Sequence, residues 1–459
     1  MTVFIIVFLT ALAALFAGVF GNGKWSRYFG IIGLLVALYF SYLPECSFFD
    51  QYKHMFEFGA NAALFTKISI VVTILIFMIA GFAFSNHRSH QSELYALMLF
   101  SLSGGIILFS FQNLVTLFLG VEILSIPLYV LAGANKTDLR STEASMKYLL
   151  MGAFATGFLL FGVAMIYGSV GSFDLYKIHD FGVEAQGNLM FKLGAIMMLV
   201  ALAFKVSLAP LHMWSPDVYQ GAPSLISVFM MTIVKISAFF GFFRLMTIAF
   251  GGIVPEWIQI IGVLVIITLI LANAMGLAQS NAKRMLAYSS VSHAGYIALI
   301  FFGTSNASVY NLAFYLFAYS VATVGVFLSL IWVEKIKRET SFMAFKGLAK
   351  SEPLVAVVAA ISLLSMAGVP LTAGFIGKFG IFSQAIVTNP MIVLIAILGS
   401  AISIAYYLRP IIAMFFYKET SFNTSEKVTF TYNAVAVALI AIMLSLGVYP
   451  DLFKILFGL

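Results

Sequence analysis

A single cysteine, Cys46, among 459 residues excludes an intrachain disulfide and any iron–sulfur cluster held by this chain's own cysteines. No CxxC, GxGxxG or Walker loop is present, so nothing marks a site for metal, dinucleotide or ATP. Charge is scarce as well: Asp, Glu, Lys and Arg make up 9% of the chain, against 62% hydrophobic residues. No soluble domain has that composition. The net charge of +7 would suit a nucleic-acid binder. The cations, however, sit in short loops between apolar runs and form no continuous stripe, so no nucleic-acid partner is expected.

What the chain does have is apolar runs along its whole length. A membrane span needs about 20 apolar residues, and on that basis the sequence predicts an all-α polytopic membrane protein of about 14 transmembrane helices. They start near Thr2, Tyr28, Asn61, Leu94, Gln112, Thr142, Leu189, Pro223, Glu256, Arg284, Ser308, Glu352, Pro390 and Phe430. The boundary between spans four and five is soft. The first run, Thr2 to Phe20, lacks a basic leader and is followed by more spans, so it is expected to be a retained helix.

The loops give an orientation. Those after odd-numbered spans carry Lys24, Arg27, Arg88, Lys136, Arg140, Lys283, Arg284, Lys335, Lys337, Arg338, Lys346, Lys350, Lys418 and Lys427. The opposite side has Lys53, Lys177, Lys192 and Lys454, mixed with Glu45, Asp50, Glu57, Asp174, Asp180 and Glu184. By the positive-inside rule the basic loops are cytoplasmic and both termini lie on the outer side.

Two spans are expected to be broken. Span seven contains Lys205-Val-Ser-Leu-Ala-Pro-Leu-His-Met-Trp214, and span twelve contains Met366-Ala-Gly-Val-Pro-Leu-Thr-Ala-Gly-Phe-Ile-Gly-Lys378. Pro210 and Pro370 have no N–H, so the carbonyls of Val206 and Met366 lose their helical partners. Freed polar groups at membrane depth survive only inside protein or beside a wet cavity. A plain proline kink is the bland explanation. Two Pro-Leu breaks five spans apart, each beside a lysine, favour function. Spans four to eight and nine to thirteen are each five long and place the break fourth, which predicts two inverted five-helix repeats. The expected division is an N-terminal three-helix segment (1–93), a first repeat (94–250), an inverted second repeat (251–418) and a C-terminal helix (419–459).

Four charges lie inside apolar spans: Glu122, Lys205, Lys235 and Lys378. A charge at the bilayer centre costs roughly 3 kcal/mol on insertion scales, and ion or proton movement is the default reason to keep one. Glu122 and Lys205 are natural partners, since pairing lowers the cost for both. Desolvation favours neutral lysine and a nearby carboxylate favours the ammonium. Making and breaking the pair would let Lys205 hold and release a proton; a static ion pair is the alternative. Lys235 suits a relay between Lys205 and Lys378, with Lys378 as the outer member. Lys235 lies too deep for snorkelling, which fits Arg244 better.

His293 titrates near neutral pH and could join the relay, although a lone helical histidine is more often structural. His212, Ser207, Tyr288 and Ser289 are lesser candidates to hold water. Glu143 and Lys147 form an i,i+4 pair at the start of span six, as readily a surface pair as a proton-uptake site. Lys67 is expected to be peripheral.

These segments resemble the antiporter-like membrane subunits of respiratory complex I. The resemblance runs from about span four to span thirteen. It rests on Val121-Glu-Ile-Leu-Ser-Ile-Pro-Leu-Tyr-Val-Leu-Ala-Gly133, Glu143-Ala-Ser-Met-Lys-Tyr148, the stretch from Phe204 through Asp217-Val-Tyr-Gln-Gly-Ala-Pro223, Lys283-Arg-Met-Leu-Ala-Tyr-Ser-Ser290 and Gly368 to Lys378. Three features look like the N-type branch: Lys378 where M-type members carry glutamate, a chain that ends soon after span fourteen, and the Asp217–Pro223 and Glu143–Tyr148 stretches. Gln220 departs from the glutamate usual there.

The resemblance implies proton translocation coupled to NADH–quinone electron transfer. Glu122 would pair with Lys205, Lys235 would be the central lysine and Lys378 the exit-side lysine, with His293 on the polar axis. It also implies that NADH, flavin, iron–sulfur clusters and quinone are handled by other subunits, with no cofactor in this chain. The expected partners are other membrane-arm subunits, among them one antiporter-like subunit and the small K- and J-type subunits, in a bacterial inner membrane. A subunit of a multi-subunit cation/proton antiporter and a structural scaffold with an inactive channel are the competing readings.

Overall fold

The computed structural model describes residues 1–20, 23, 25–44, 51–83, 91–184, 188–303, 308–417 and 428–458. Cys46 and the loop charges Lys24, Glu45, Asp50, Arg88, Lys418 and Lys427 lie outside the described residues. Among the described residues the regular structure is helical, with three isolated bridges and no strand. Among the described residues, eleven helices are long and apolar enough to cross a membrane. Trp25–Phe40 is a shorter apolar helix. Two further stretches each hold two shorter helices separated by a break: Leu189–Lys205 and Trp214–Gly221, and Pro353–Ala367 and Ala373–Thr388. The all-α membrane fold and both breaks are therefore as the sequence predicts. A short helix between spans six and seven, Leu175–Glu184, was not foreseen; its ten residues are too few to cross a bilayer.

Packing divides the chain into two compact units. The first comprises Met1–Ile70, Ser89–Trp214 and Ile233–Leu264. Its helices start where side chains meet the orphan N–H groups of the first turn. Asn113 accepts from Val115 N, Asp138 from Arg140 N and Asn188 from Phe191 N. With no hydrophobic drive between helices in lipid, close backbone approach and hydrogen bonds hold them together. Helices Gln91–Ser110 and Leu114–Ala132 meet at Gly104, where a Cβ would fall 2.2 Å from Leu124 N. Ser101 Oγ donates to Leu124 O at the same crossing, at 2.7 Å.

The first break in this unit begins four residues before Pro210. Lys205 ends its half-helix, and Val206 to Met213 run outside any helix. Ser207 takes φ +65, a left-handed conformation uncommon outside glycine. The carbonyls at the helix end find substitutes. Ser207 N donates to Phe204 O (3.0 Å), Leu208 N to Ala203 O (2.9 Å) and Trp214 Nε1 to Phe204 O (3.1 Å). Unwinding is thus fixed by the whole segment, with the proline near its middle.

The second unit comprises Val71–Arg88, Ser215–Thr232 and Val265–Leu459. Its long helix Ser308–Lys337 is buried along its apolar length. Asn281 caps Ala282–Ala298 by accepting from Arg284 N at 3.1 Å. The break of span twelve runs from Gly368 to Thr372, with Gly368 at φ +84 and Leu371 at φ +70. Gly368 N and Val369 N both donate to Leu364 O, closing the first half-helix. Gly374 N is met by Ser365 Oγ, which opens the second.

Candidate functional site

In the first unit Lys205 is 7% exposed and Lys235 2% exposed. Lys205 Nζ donates to Ser125 Oγ at 2.8 Å and to Tyr129 OH at 3.4 Å. Both acceptors lie on Leu114–Ala132, three and seven residues beyond Glu122. That spacing places all three on one helix face. Glu122 Oε1 accepts from Thr156 Oγ1 at 2.7 Å. Ser125 Oγ itself donates to Val121 O at 2.6 Å, so its lone pairs are left to receive the lysine. The expected direct Glu122–Lys205 ion pair is not formed among the described residues. Lys205 instead meets Ser125 and Tyr129 on the helix that carries Glu122.

Lys235 follows a π-helical turn, Met230–Val234, within the long span Ser224–Ala249. Such turns add a residue to the helix and often occur at functional positions. His212 lies in the unwound segment and is 8% exposed. Glu143 and Lys147 pair at 2.7 Å with side chains 62% and 39% exposed; exposed pairs of this kind contribute little stability.

Two expectations in this unit need correction. Arg244 does not snorkel: it is 8% exposed. Its guanidinium donates to Phe111 O (2.9 Å), Gln112 Oε1 (2.7 Å) and Glu57 Oε2 (2.6 Å). The turn between helices Gln91–Ser110 and Leu114–Ala132 exposes polar backbone, and Arg244 satisfies it from inside. Lys67 is not peripheral either. It is 8% exposed and its Nζ lies 3.9 Å from the centroid of the Tyr42 ring, a cation–π contact.

In the second unit Lys378 is 4% exposed. Its Nζ donates to Ala367 O at 2.9 Å and to Ser400 Oγ at 2.8 Å, and lies 4.8 Å from the centroid of the Tyr296 ring. Ala367 ends the first half-helix, so the ammonium sits at the negative end of a helix dipole. His293 hydrogen-bonds Tyr315 OH through Nδ1 (2.8 Å) and Tyr407 OH through Nε2 (3.2 Å). Tyr407 OH also bonds Ser289 Oγ. Asn273 joins Tyr296, Ser292 and Tyr406 in the same unit. Pro210 and Pro370 lie in the two breaks and have no polar side-chain role. Among the described residues no group of three His, Cys, Asp or Glu could hold a metal ion.

Sequence reasoning missed Thr156, Ser400, Tyr315 and Tyr407, which lie far along the chain from the groups they bond. Ser125 and Tyr129 could have been found from their spacing to Glu122.

The family described as "NADH:quinone oxidoreductase/Mrp antiporter, TM" matches residues 111–405. "NADH-quinone oxidoreductase subunit N" of Cytophaga hutchinsonii is 41% identical over 413 residues, covering 89% of each chain. The protein of the same name from Flavobacterium psychrophilum is 37% identical, covering 97% of this chain and 98% of its own. A chain of respiratory complex I from Thermus thermophilus, solved with bound aureothin, superposes with a TM-score of 0.79 at 31% identity and covers 98% of both chains. At this identity and coverage the chain belongs to the subunit N family of NADH-quinone oxidoreductase, among the antiporter-like membrane subunits.

Proposed function

We propose that this chain is a proton-translocating membrane-arm subunit of NADH:quinone oxidoreductase, carrying protons on Glu122, Lys205, Lys235 and Lys378 in step with quinone reduction on other subunits. The observation that carries this reading is the burial of three lysines inside membrane passages, two of them at helix breaks and held by neutral oxygens. A lysine held by hydroxyls and carbonyls can lose its proton without leaving a carboxylate stranded. Such a group can load and unload, whereas a tight buried ion pair is costly to break, at about 3–5 kcal/mol.

In unit 1, movement of the Leu114–Ala132 helix would bring Glu122 toward Lys205 or let Ser125 and Tyr129 separate them. That alternation changes how firmly Lys205 keeps its proton. The hydroxyls of Ser207 and Ser237 are buried without a protein partner among the described residues, as groups served by buried water are. In unit 2, His293 between Tyr315 and Tyr407 supplies a hydrogen-bonded path beside Lys378. His212 supports the first break. Glu143 and Lys147 are exposed enough to exchange protons with water, and their role in uptake is secondary.

The same reading takes residues 94–250 and 251–418 as the two inverted repeats, flanked by 1–93 and 419–459. It places the basic loops in the cytoplasm of a bacterium and the termini outside the inner membrane. It leaves flavin, iron–sulfur clusters, NADH and quinone to other subunits, and sets the chain against one antiporter-like neighbour and the K- and J-type subunits. A cation/proton antiporter subunit would keep the same charges. The names of the close relatives favour the oxidoreductase.

The test is Lys205→Ala in the native membrane, with complex assembly, NADH–quinone turnover and proton pumping scored together. Assembly with turnover and pumping both reduced at least about 100-fold supports the reading. Normal turnover and pumping would overturn it.

A further inference from the structure

A second polar cluster lies in unit 2, at the aqueous end that carries the basic loops. Pro223 has no N–H, so Tyr219 O loses its helical partner; Ser227 Oγ takes its place at 2.7 Å. Ile226 N turns to Pro223 O, and Ala222 O receives Lys283 Nζ at 2.6 Å. Lys283 is buried, with its side chain 4% exposed. Its Nζ also lies 3.9 Å from Glu334 Oε1. The other carboxylate oxygen, Oε2, accepts from Ser224 Oγ. The Glu334 side chain is 38% exposed, so this carboxyl touches water on one side and a buried lysine and serine on the other. Of the charged groups nearby, Asp217 is engaged by Arg284 at 2.9 Å. Lys335 and Lys337 follow Glu334 on its own helix.

We propose that Glu334, held by Ser224 and Lys283, is the proton-loading site on the basic-loop side, feeding the span that begins at Ser224. The proposal rests on the proton-translocation reading above. A proton from water forms an O–H bond at the carboxylate and neutralises it. Lys283 is not stranded by that change, because Ala222 O already holds it. The neutral carboxyl becomes the donor and Ser224 Oγ the acceptor, which turns the serine hydrogen away from Glu334. When the O–H bond breaks toward Ser224, the serine passes its own hydrogen on and the carboxylate is restored. Ser227 lies one turn further along, and Lys235 lies eleven residues beyond Ser224 in the same span, about three turns.

The test uses the complete complex in native membrane vesicles, with turnover and proton pumping measured from acid to alkaline pH. Glu334→Gln is expected to assemble and to lower both about tenfold, with the loss growing as protons become scarce. Glu334→Asp is expected to restore most of the activity. Wild-type behaviour of Glu334→Gln at every pH would overturn the proposal. So would equal, pH-independent losses in the Gln and Asp variants, since a merely structural carboxylate would give that result. Should Glu334→Gln fail to assemble, Ser224→Ala decides: an alkaline-weighted loss supports the site and unchanged pumping overturns it. Lys235→Ala run alongside separates the two readings. If it stops pumping while Glu334→Gln does not, the loading site alone is wrong; if it too pumps normally, the translocation reading falls.

Discussion

In the first unit the lysine of the broken span ends the first half-helix and reaches sideways, to Ser125 and Tyr129 on a neighbouring helix that also carries Glu122. In the second unit the lysine sits on the second half-helix and reaches back to Ala367 O at the end of the first, with Ser400 beside it. Both ammonium groups belong to a break, but only one has a carboxylate on the helix it grips. The first lysine therefore depends on where another helix stands. The second depends on the break's own backbone at Ala367 O and on Ser400 of the helix Pro390–Phe416. On the proposed function, the first lysine would load and unload with a moving neighbour, the second with a rearrangement of its own break or of Ser400.

The largest effect should come from cutting the first site on both sides. Glu122→Gln and Lys205→Ala are each expected to cut pumping at least about 100-fold. If the two act as one element, the double variant should be little worse than either. Adding Lys378→Ala to either single variant should deepen the loss independently. Additive losses for Glu122 and Lys205 in a double-mutant cycle would dissolve the distinction between the units.

A smaller effect is expected from Tyr129→Phe, which removes one acceptor of Lys205 and leaves the ring. Turnover should fall several-fold, by the roughly 1 kcal/mol that a hydrogen bond contributes. Its size measured with Glu122 intact and with Glu122→Gln tests whether the hydroxyl mediates the carboxylate's influence. Ser400→Ala should cost a similar or lesser amount, since Ala367 O remains to hold Lys378; turnover of the assembled complex is the measurement.

The smallest functional change is expected from Gly368→Ala. At φ +84 a side chain is strained by about 1–2 kcal/mol, and the added Cβ would sit 3.0 Å from Lys378 Cδ. Thermal stability of the purified complex should drop while the pumping ratio stays near normal. A change in pumping without loss of stability would show that the break in the second unit is a moving part, and would sharpen the contrast drawn above.

Both breaks and the charges Glu122, Lys205, Lys235 and Lys378 within apolar runs were legible from residue type alone, whereas the burial of Lys67 and Arg244 was not. Lipid penalises a charge or a proline-freed carbonyl wherever it falls, so Glu122, Lys205, Lys235, Lys378, Pro210 and Pro370 stand out without any knowledge of neighbours. The span starts were legible for the same reason, because a bilayer fixes the length of an apolar run. Partners were not. Thr156 lies 34 residues from Glu122 and Ser400 lies 22 residues from Lys378. Serine and threonine are tolerated almost anywhere in a membrane helix, so their residue type signals nothing. Arg244 misled for a related reason: its position near a span end fits snorkelling, and only the turn at Phe111 and Gln112 shows what it binds.

The sequence by itself determined that this chain lives in lipid, how often it crosses, where two crossings break and that Lys205, Lys235 and Lys378 fall deep inside apolar runs, since each follows from the cost of local polarity in hydrocarbon. Only the tertiary structure decided that Lys205 meets Ser125 and Tyr129 before Glu122, that Lys378 rests on Ala367 O, and that Glu334 reaches Ser224 and Lys283. Those choices depend on which helix faces pack together, and many packings would satisfy the same pattern of apolar residues.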